Sequence, residues 1–357
     1  QPSPPTAAIK PKELTIHGHT RVDNYFWLRE RENPEVITYL ESENAYTEAI
    51  MAHTKPLQEE LYAELVGRIQ ETDSSAPIKK GEYFYYDRTE AGQQYKIHCR
   101  KHGSLDAPEE ILLDENSLAA STKYFKLGIF QVSPNQQLLA YSSDTSGGER
   151  YTLVVKNLAT GEMLADAVPD TFYSVEWAND NRTLFYNKQN EVWRSDRVFR
   201  HTLGTDPSED VEVFHETDEL FNVYMHKTRD DAYLVITSAS METTEQRFLH
   251  ADMPEGELTL LAPRKRGWRY FLNHRQGEFF ILSNEEARNN KLMVTAVANL
   301  APANWQTFIP HNPDKLLENV DVFADHLVVY GRFNGLHTLV ANDVPDHQRL
   351  GPVMRGP

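Results

Sequence analysis

The stretch Phe130-Gln131-Val132-Ser133-Pro134-Asn135-Gln136-Gln137-Leu138-Leu139-Ala140-Tyr141-Ser142 leads through Ser146-Gly147-Gly148 and Tyr151-Thr152-Leu153-Val154-Val155-Lys156 to Asn157-Leu158-Ala159-Thr160-Gly161-Glu162, and it decides how the chain reads. A turn, an apolar run, a glycine turn, a second apolar run and another glycine turn make a β-meander. The run Leu138 to Tyr141 is apolar at consecutive positions, so both faces of that strand must be covered. Tyr151 to Lys156 alternates better and can lie further out.

Runs like the first recur at Tyr83-Phe84-Tyr85-Tyr86, Leu184-Phe185-Tyr186, Tyr233-Leu234-Val235-Ile236, Phe279-Phe280-Ile281-Leu282 and His326-Leu327-Val328-Val329-Tyr330. Each reads as the first strand of a unit. Equivalent positions 83, 138, 184, 234, 280 and 327 step by 55, 46, 50, 46 and 47. A period in the high forties built from strands is that of a β-propeller, whose blades have four short strands each. An irregular β-sandwich does not predict so regular a spacing. The fold class is therefore mainly β, a β-propeller over residues 76–357 with about five to six blades present. The last unit has room for only two strands before Asp343-Val344-Pro345-Asp346 to Gly356-Pro357, which reads as coil, so the expectation is a chain that stops inside a blade.

Residues 1–75 read differently. Pro2, Pro4, Pro5 and Pro11 keep the start extended, and Leu14 to His19 suggests a short strand. Asp23-Asn24-Tyr25-Phe26-Trp27-Leu28-Arg29 crowds large rings into few residues, as an anchor pressed on another surface would. A helix is predicted from Asn33-Pro34, Asn as cap and Pro at the first helical position, with Val36, Tyr39, Tyr46 and Ile50 on one face. A second starts at Pro56 with the stripe Leu57, Leu61, Leu65, Ile69. Glu71 to Pro77 reads as a linker.

Of 357 residues, 40% are hydrophobic and 11% aromatic, the composition of a folded soluble protein. No stretch approaches the ~20 apolar residues of a membrane span. Lys and Arg number 36 against 53 Asp and Glu, and the net charge of −17 repels phosphate backbones and favours cationic ligands. The one basic run, Arg264-Lys265-Arg266 with Arg269, sits between Pro263 and Gly267 and reads as a solvated loop. The single cysteine, Cys99, excludes an intrachain disulfide framework. With Gln1 as first residue, both a cytoplasmic and a periplasmic setting remain compatible.

Sites are few. His98-Cys99 with His102 has metal-like composition, but neighbouring strand residues point to opposite faces, so the expectation is no metal site. His17-Gly18-His19 is weaker still. No serine has Gly two residues before it, so no nucleophile elbow exists, and no βαβ alternation offers a hydrolase sheet. No catalytic residue and no cofactor site are assigned. Trp177, Trp193, Trp268 and Trp305, near strand ends, are expected to pack between blades. Glu149 and Arg150, just past Gly147-Gly148, sit where loops reach an end of the propeller and are candidate interdomain contacts, with Tyr25 and Trp27 as the other two.

The run Arg21 to Glu30, then Asn33-Pro34-Glu35-Val36 and Tyr39-Leu40-Glu41-Ser42-Glu43-Asn44-Ala45-Tyr46-Thr47, resembles the N-terminal signature of oligopeptidase B, a branch of the prolyl oligopeptidase family of serine peptidases. Ala107-Pro108-Glu109-Glu110-Ile111-Leu112-Leu113-Asp114, the stretch 132–161, Arg200 to Val211 and Gly335-Leu336 extend the resemblance to about residue 340. It implies a seven-bladed propeller on an α/β-hydrolase domain, with residues 1–75 packing on the latter. It also implies a filter that admits short peptides, cleavage after Arg or Lys, and a triad and acidic recognition site in a C-terminal domain outside these residues. The partners expected are that hydrolase domain and short basic peptides. The competing expectation is a stand-alone propeller that binds peptides or proteins; an unpaired terminal blade argues against it, because such a module should close its ring.

Overall fold

The computed structural model describes residues 2–343; the coil expected at 344–357 lies outside the described residues, and Asp343 itself ends a strand. The chain divides into two compact units, Gln1–Ser75 with Arg88–Gln93, and Ala76–Asp87 with Gln94–Pro357.

In the first unit, strands β1 (Lys12–Ile16) and β2 (His19–Asp23) form a hairpin. His17 and Gly18 both take positive φ, 51° and 76°, the two-residue turn that matches strand twist. Helix α1 (Pro34–Met51) begins at Asn33, whose side chain accepts from the Glu35 N–H. Val36 is buried and Tyr39, Tyr46 and Ile50 are half-buried, so the predicted face is the one covered. Helix α2 (Lys55–Gly67) follows, and Leu57, Leu61, Leu65 and Ile69 are all exposed. The expected linker is tied down: strand β3 (Asp73–Ser74) pairs with Arg88 and Thr89, and the Thr89 hydroxyl donates to the Glu71 carbonyl at 2.6 Å.

The second unit is a succession of antiparallel meanders. Sheet 1 holds β4 (Ile78–Lys80), β5 (Tyr83–Thr89), β6 (Ile97–His102) and β7 (Glu109–Asp114), followed by the short helix α3 (Glu115–Ala119). Strands β8 (Lys126–Val132), β9 (Leu138–Asp144), β10 (Tyr151–Asn157), β11 (Met163–Trp177), β12 (Thr183–Gln189), β13 (Ser195–Thr202) and β14 (Val211–His215) form one seven-stranded sheet. It is two meanders sharing β11. Met163 to Val168 pair with β10, Val175 to Trp177 pair with β12, and Thr171 between them pairs with both Tyr151 of β10 and Lys188 of β12, with a register shift on either side. These halves are sheets 2 and 3. Sheet 4 is β15 (Asn222–Lys227), β16 (Tyr233–Ala239), β17 (Thr244–His250) and β18 (Thr259–Leu260); sheet 5 is β19 (Tyr270–Arg275), β20 (Glu278–Ser283), β21 (Lys291–Ala296) and β22 (Gln306–Ile309). Sheet 6, among the described residues, is β23 (Lys315–Val322), β24 (His326–Phe333) and β25 (Leu336–Asp343).

The apolar runs taken to open each unit are the second strands of their sheets. The true first strands alternate in burial, as β15 and β19 do, and their apolar runs end early, at Met225 and Leu272, in polar residues. The turn between first and second strand repeats in backbone geometry: Gly81, Gln136, Asn181, Asp231 and Gln276 all take φ between 48° and 63°. Glycine tolerates this freely and Asn or Asp at modest cost.

Each second strand feeds two cores, because successive side chains leave opposite faces. Leu139 and Tyr141 pack toward sheet 1 and Ala140 toward sheet 3; Leu234 and Ile236 pack toward sheet 3 and Val235 toward sheet 5. Phe279 and Ile281 likewise join the core with sheet 4, Phe280 and Leu282 the core with sheet 6. Five apolar clusters therefore lie between successive sheets, and each fully buried Leu or Phe in them contributes about 1.5–3 kcal/mol.

Candidate functional site

The loop between β9 and β10 is built around Asp144. Its Oδ1 accepts from Ser146 N at 2.7 Å, Ser146 Oγ at 2.6 Å and Gly147 N at 3.2 Å, and its Oδ2 from Glu149 N at 2.8 Å. Burial pushes the carboxyl up, but these donors outweigh it and hold it below the usual value. The loop is thereby fixed, with Gly147 at φ 78° and Glu149 at φ 53°. Glu149 and Arg150 are each half-exposed, at 50%. Tyr173 OH accepts from Lys126 Nζ at 2.7 Å and from Tyr151 OH at 2.8 Å, and donates to Glu149 Oε1 at 3.3 Å. Burial and the bond to Tyr173 raise the Tyr151 phenol; bonds to Tyr173 and Tyr151 raise Lys126. Arg150 reaches Asp170 at 3.4 Å and lies 5.1 Å from the centre of the Trp193 ring. The cluster presents a carboxylate, a guanidinium and an indole to solvent; it contains no nucleophile with a base and suits docking.

Trp27, offered as an anchor seeking a surface, is buried in its own unit: its indole donates to the Ala8 carbonyl at 2.9 Å, meets Tyr39 edge-on, and lies under Lys10. Tyr25 is exposed. Trp177, Trp268 and Trp305 join inter-sheet cores, but Trp193 does not; it stands 49% exposed at φ 66° on the loop after β12, so the packing expectation fails there. The basic run is only partly solvated. Arg264 pairs with Glu216 at 2.6 Å and Glu245 at 3.4 Å and lies on Phe221, while Lys265 and Arg266 face solvent.

His98 stacks on Phe130 and meets Glu115 at 2.8 Å, Cys99 is buried, and His102 packs on Tyr83. His17 and His19 sit at the hairpin turn. Among the described residues no three His, Cys, Asp or Glu gather as metal ligands. The run Arg200 to Val211 is a structural network: His201 lies between Asp210 at 2.7 Å and Asp166 at 3.1 Å, and Tyr186 OH donates to Asp210. Among the described residues no helix is long and apolar enough to cross a membrane.

One charged cluster gave no sign in the sequence reading. The turn Thr228-Arg229-Asp230-Asp231 follows β15. Lys227 Nζ donates to Asn179 Oδ1 at 2.5 Å and lies 3.5 Å from Asp231; Asp230 Oδ2 meets His274 Nδ1 at 2.6 Å; Arg229 meets Asp321 Oδ1 at 3.2 Å. The run Lys227 to Asp231 carries both charge signs at four of five positions, against none in Ser133-Pro134-Asn135-Gln136.

Successive antiparallel meander sheets with apolar cores between them are the architecture of a β-propeller domain. The family model of the prolyl oligopeptidase N-terminal β-propeller domain matches residues 4–354. A dipeptidyl aminopeptidase BI of Pseudoxanthomonas mexicana is 38% identical over 94% of this chain and 49% of its own length, and Protease 2 of Moraxella lacunata 33% over 93% and 49%. Oligopeptidase B of Leishmania major superposes with a TM-score of 0.88 at 32% identity, over 96% of this chain and 51% of that one. The closed form of oligopeptidase B of Trypanosoma brucei gives 0.87 at 32%, over 97% and 52%. The chain belongs to the prolyl oligopeptidase family, as its N-terminal propeller part. It spans about half the length of the curated relatives it matches.

Proposed function

We propose that this chain is the gating part of a serine oligopeptidase that hydrolyses short peptides after Arg or Lys. Residues 1–75 dock on an α/β-hydrolase domain and residues 76–357 form the filter, a ring of the seven-bladed type. The observation that carries the reading is the match of nearly the whole chain to the first half of peptidases of this family, in a sequence with no Gly-x-Ser elbow. The exposed stripe Leu57, Leu61, Leu65, Ile69 supports docking by the first unit, since an amphipathic helix stabilises a fold by burying its apolar face. Glu149 and Arg150, with Tyr25, are the side chains that reach the hydrolase domain; Trp27 acts by holding the lead-in against α1. The net charge of −17 draws basic peptides.

The names of the relatives include a dipeptidyl aminopeptidase as well as oligopeptidase B, so the cleavage preference itself is put to test. Fluorogenic peptides ending in Arg and in a neutral dipeptide are offered to the chain alone and to its mixture with a separately produced hydrolase domain. Hydrolysis of the Arg peptide only by the mixture, with folded proteins left uncut, is expected. Activity of the chain alone, or cleavage of the neutral peptide only, overturns the reading.

A further inference from the structure

The first strands of the sheets adjoin: β8 lies by β11, β11 by β15, and β19 by β23. Alternate residues on them, among them Tyr224, His226, Asn273 and Asp321, belong to none of the inter-sheet cores. Along β15 exposure falls toward one end: Asn222 and Tyr224 are exposed, His226 and Lys227 partly covered. The turn Thr228 to Asp231 follows at that end.

This turn is held by three other sheets. The Asp231 carbonyl accepts from Asn179 Nδ2 at 2.9 Å beside sheet 3, and Asp230 meets His274 of sheet 5. Arg229 passes over sheet 5 altogether and meets Asp321 of sheet 6, its guanidinium 4.3 Å from the centre of the Phe323 ring. The receiving groups are themselves fixed. Asp321 Oδ2 accepts from Tyr330 OH at 2.9 Å, Phe323 stacks on His326 at 4.4 Å, and the next carbonyl, Ala324, accepts from Arg275 Nε at 2.6 Å. A carboxylate and an aromatic face set side by side are the two groups that a guanidinium prefers.

We propose that Asp321 and Phe323 form a guanidinium site that Arg229 fills in cis, and that an arginine of an incoming peptide takes in its place, freeing the turn from sheet 6. The inference rests on the reading that the propeller admits basic peptides. Exchange is possible because Arg229 is 45% and Asp321 26% exposed, and an ion pair that water reaches is weak. The contacts of Asp230 and Asp231 keep the turn in place when Arg229 lets go, so the site opens without unfolding.

The test uses the chain as it stands and the probe peptide acetyl-Ala-Arg-Ala-amide, with its citrulline counterpart, uncharged but of the same shape, as control. In Arg229→Gln the cis occupant is gone and the arginine probe binds about fivefold tighter than to the unaltered chain, while the citrulline peptide binds neither. Asp321→Asn abolishes binding in both backgrounds, and Phe323→Leu, which keeps the bulk without the π face, weakens it. Equal affinity with and without Arg229, or binding that survives Asp321→Asn, overturns the proposal. A failure of the hydrolysis experiment leaves these readings intact, since none needs a hydrolase domain.

Discussion

Glu176 on β11 shows what one side chain can carry in this repeat. Burial pushes its carboxyl up to about 7 against the pull of the Lys227 and Lys80 ammonium groups, and Asp231 adds to the rise. The folded protein thus keeps a proton that the unfolded chain gives up near 4.5. Stability from this group is complete below about pH 4.5 and is lost as pH climbs through about 7. Glu176 still touches solvent, which discounts the full shift to roughly 1–2 kcal/mol. Denaturant unfolding at pH 4.5 and pH 8 should show that loss in the unaltered chain and its absence in Glu176→Gln; parallel pH profiles would refute it. Nothing in the sequence marks Glu176, because a lone carboxylate on an alternating strand has the same pattern as a solvated one. That Glu149 and Arg150 lie on a loop was legible because Gly147-Gly148 announces a turn. Trp27 misled, because a cluster of rings signals packing without saying against what.

At the scale of the element, what the sequence showed best was the doubly covered strand. Leu138 to Tyr141 and Phe279 to Leu282 are apolar at every position because each lies between two cores, and the repeat followed from them. First strands escaped notice because one of their faces stays out of the cores and dilutes the run. The double role of β11 has no mark in the apolar pattern, since Pro169 and Asp170 bend the strand without ending it. Sheet 6 offers a test of how tightly these strands approach. A Cβ on Gly331 of β24 would sit 2.1 Å from the Leu316 carbonyl oxygen, a backbone atom that cannot swing aside, next to the register shift between Leu317 and Asn319. Gly331→Ala should cost about 2–4 kcal/mol by overpacking. Gly161→Ala, at φ 77° in open space, should cost only the left-handed strain of about 1–2 kcal/mol. Thermal unfolding of the two variants ranks them, and a Gly331→Ala protein as stable as Gly161→Ala would show that the strands part freely there.

For the whole molecule, the two units obey different rules of burial. The second unit covers its apolar runs by its own sheets. The first leaves Leu57, Leu61 and Leu65 exposed on α2 and Ile69 just beyond it, with Ile37 and Leu40 exposed on α1, and a run of exposed apolar residues of this kind marks an interaction surface. The stripe was plain in the sequence as a period of four; its bareness was not, because periodicity gives the face and not what covers it. If a hydrolase domain is the natural cover, the chain alone must satisfy the stripe by self-association, and sedimentation velocity should show it associating as concentration rises. The pair Leu61→Glu and Leu65→Glu, on a surface that supports no core of its own unit, should leave the melting temperature within a few degrees, remove the association, and also abolish activity in the mixture with a hydrolase domain. Association and reconstitution that both survive the two charges would place the docking surface elsewhere, on the loops that carry Glu149 and Arg150. Loss of association with reconstitution intact would mean that the stripe serves only contacts between copies of this chain.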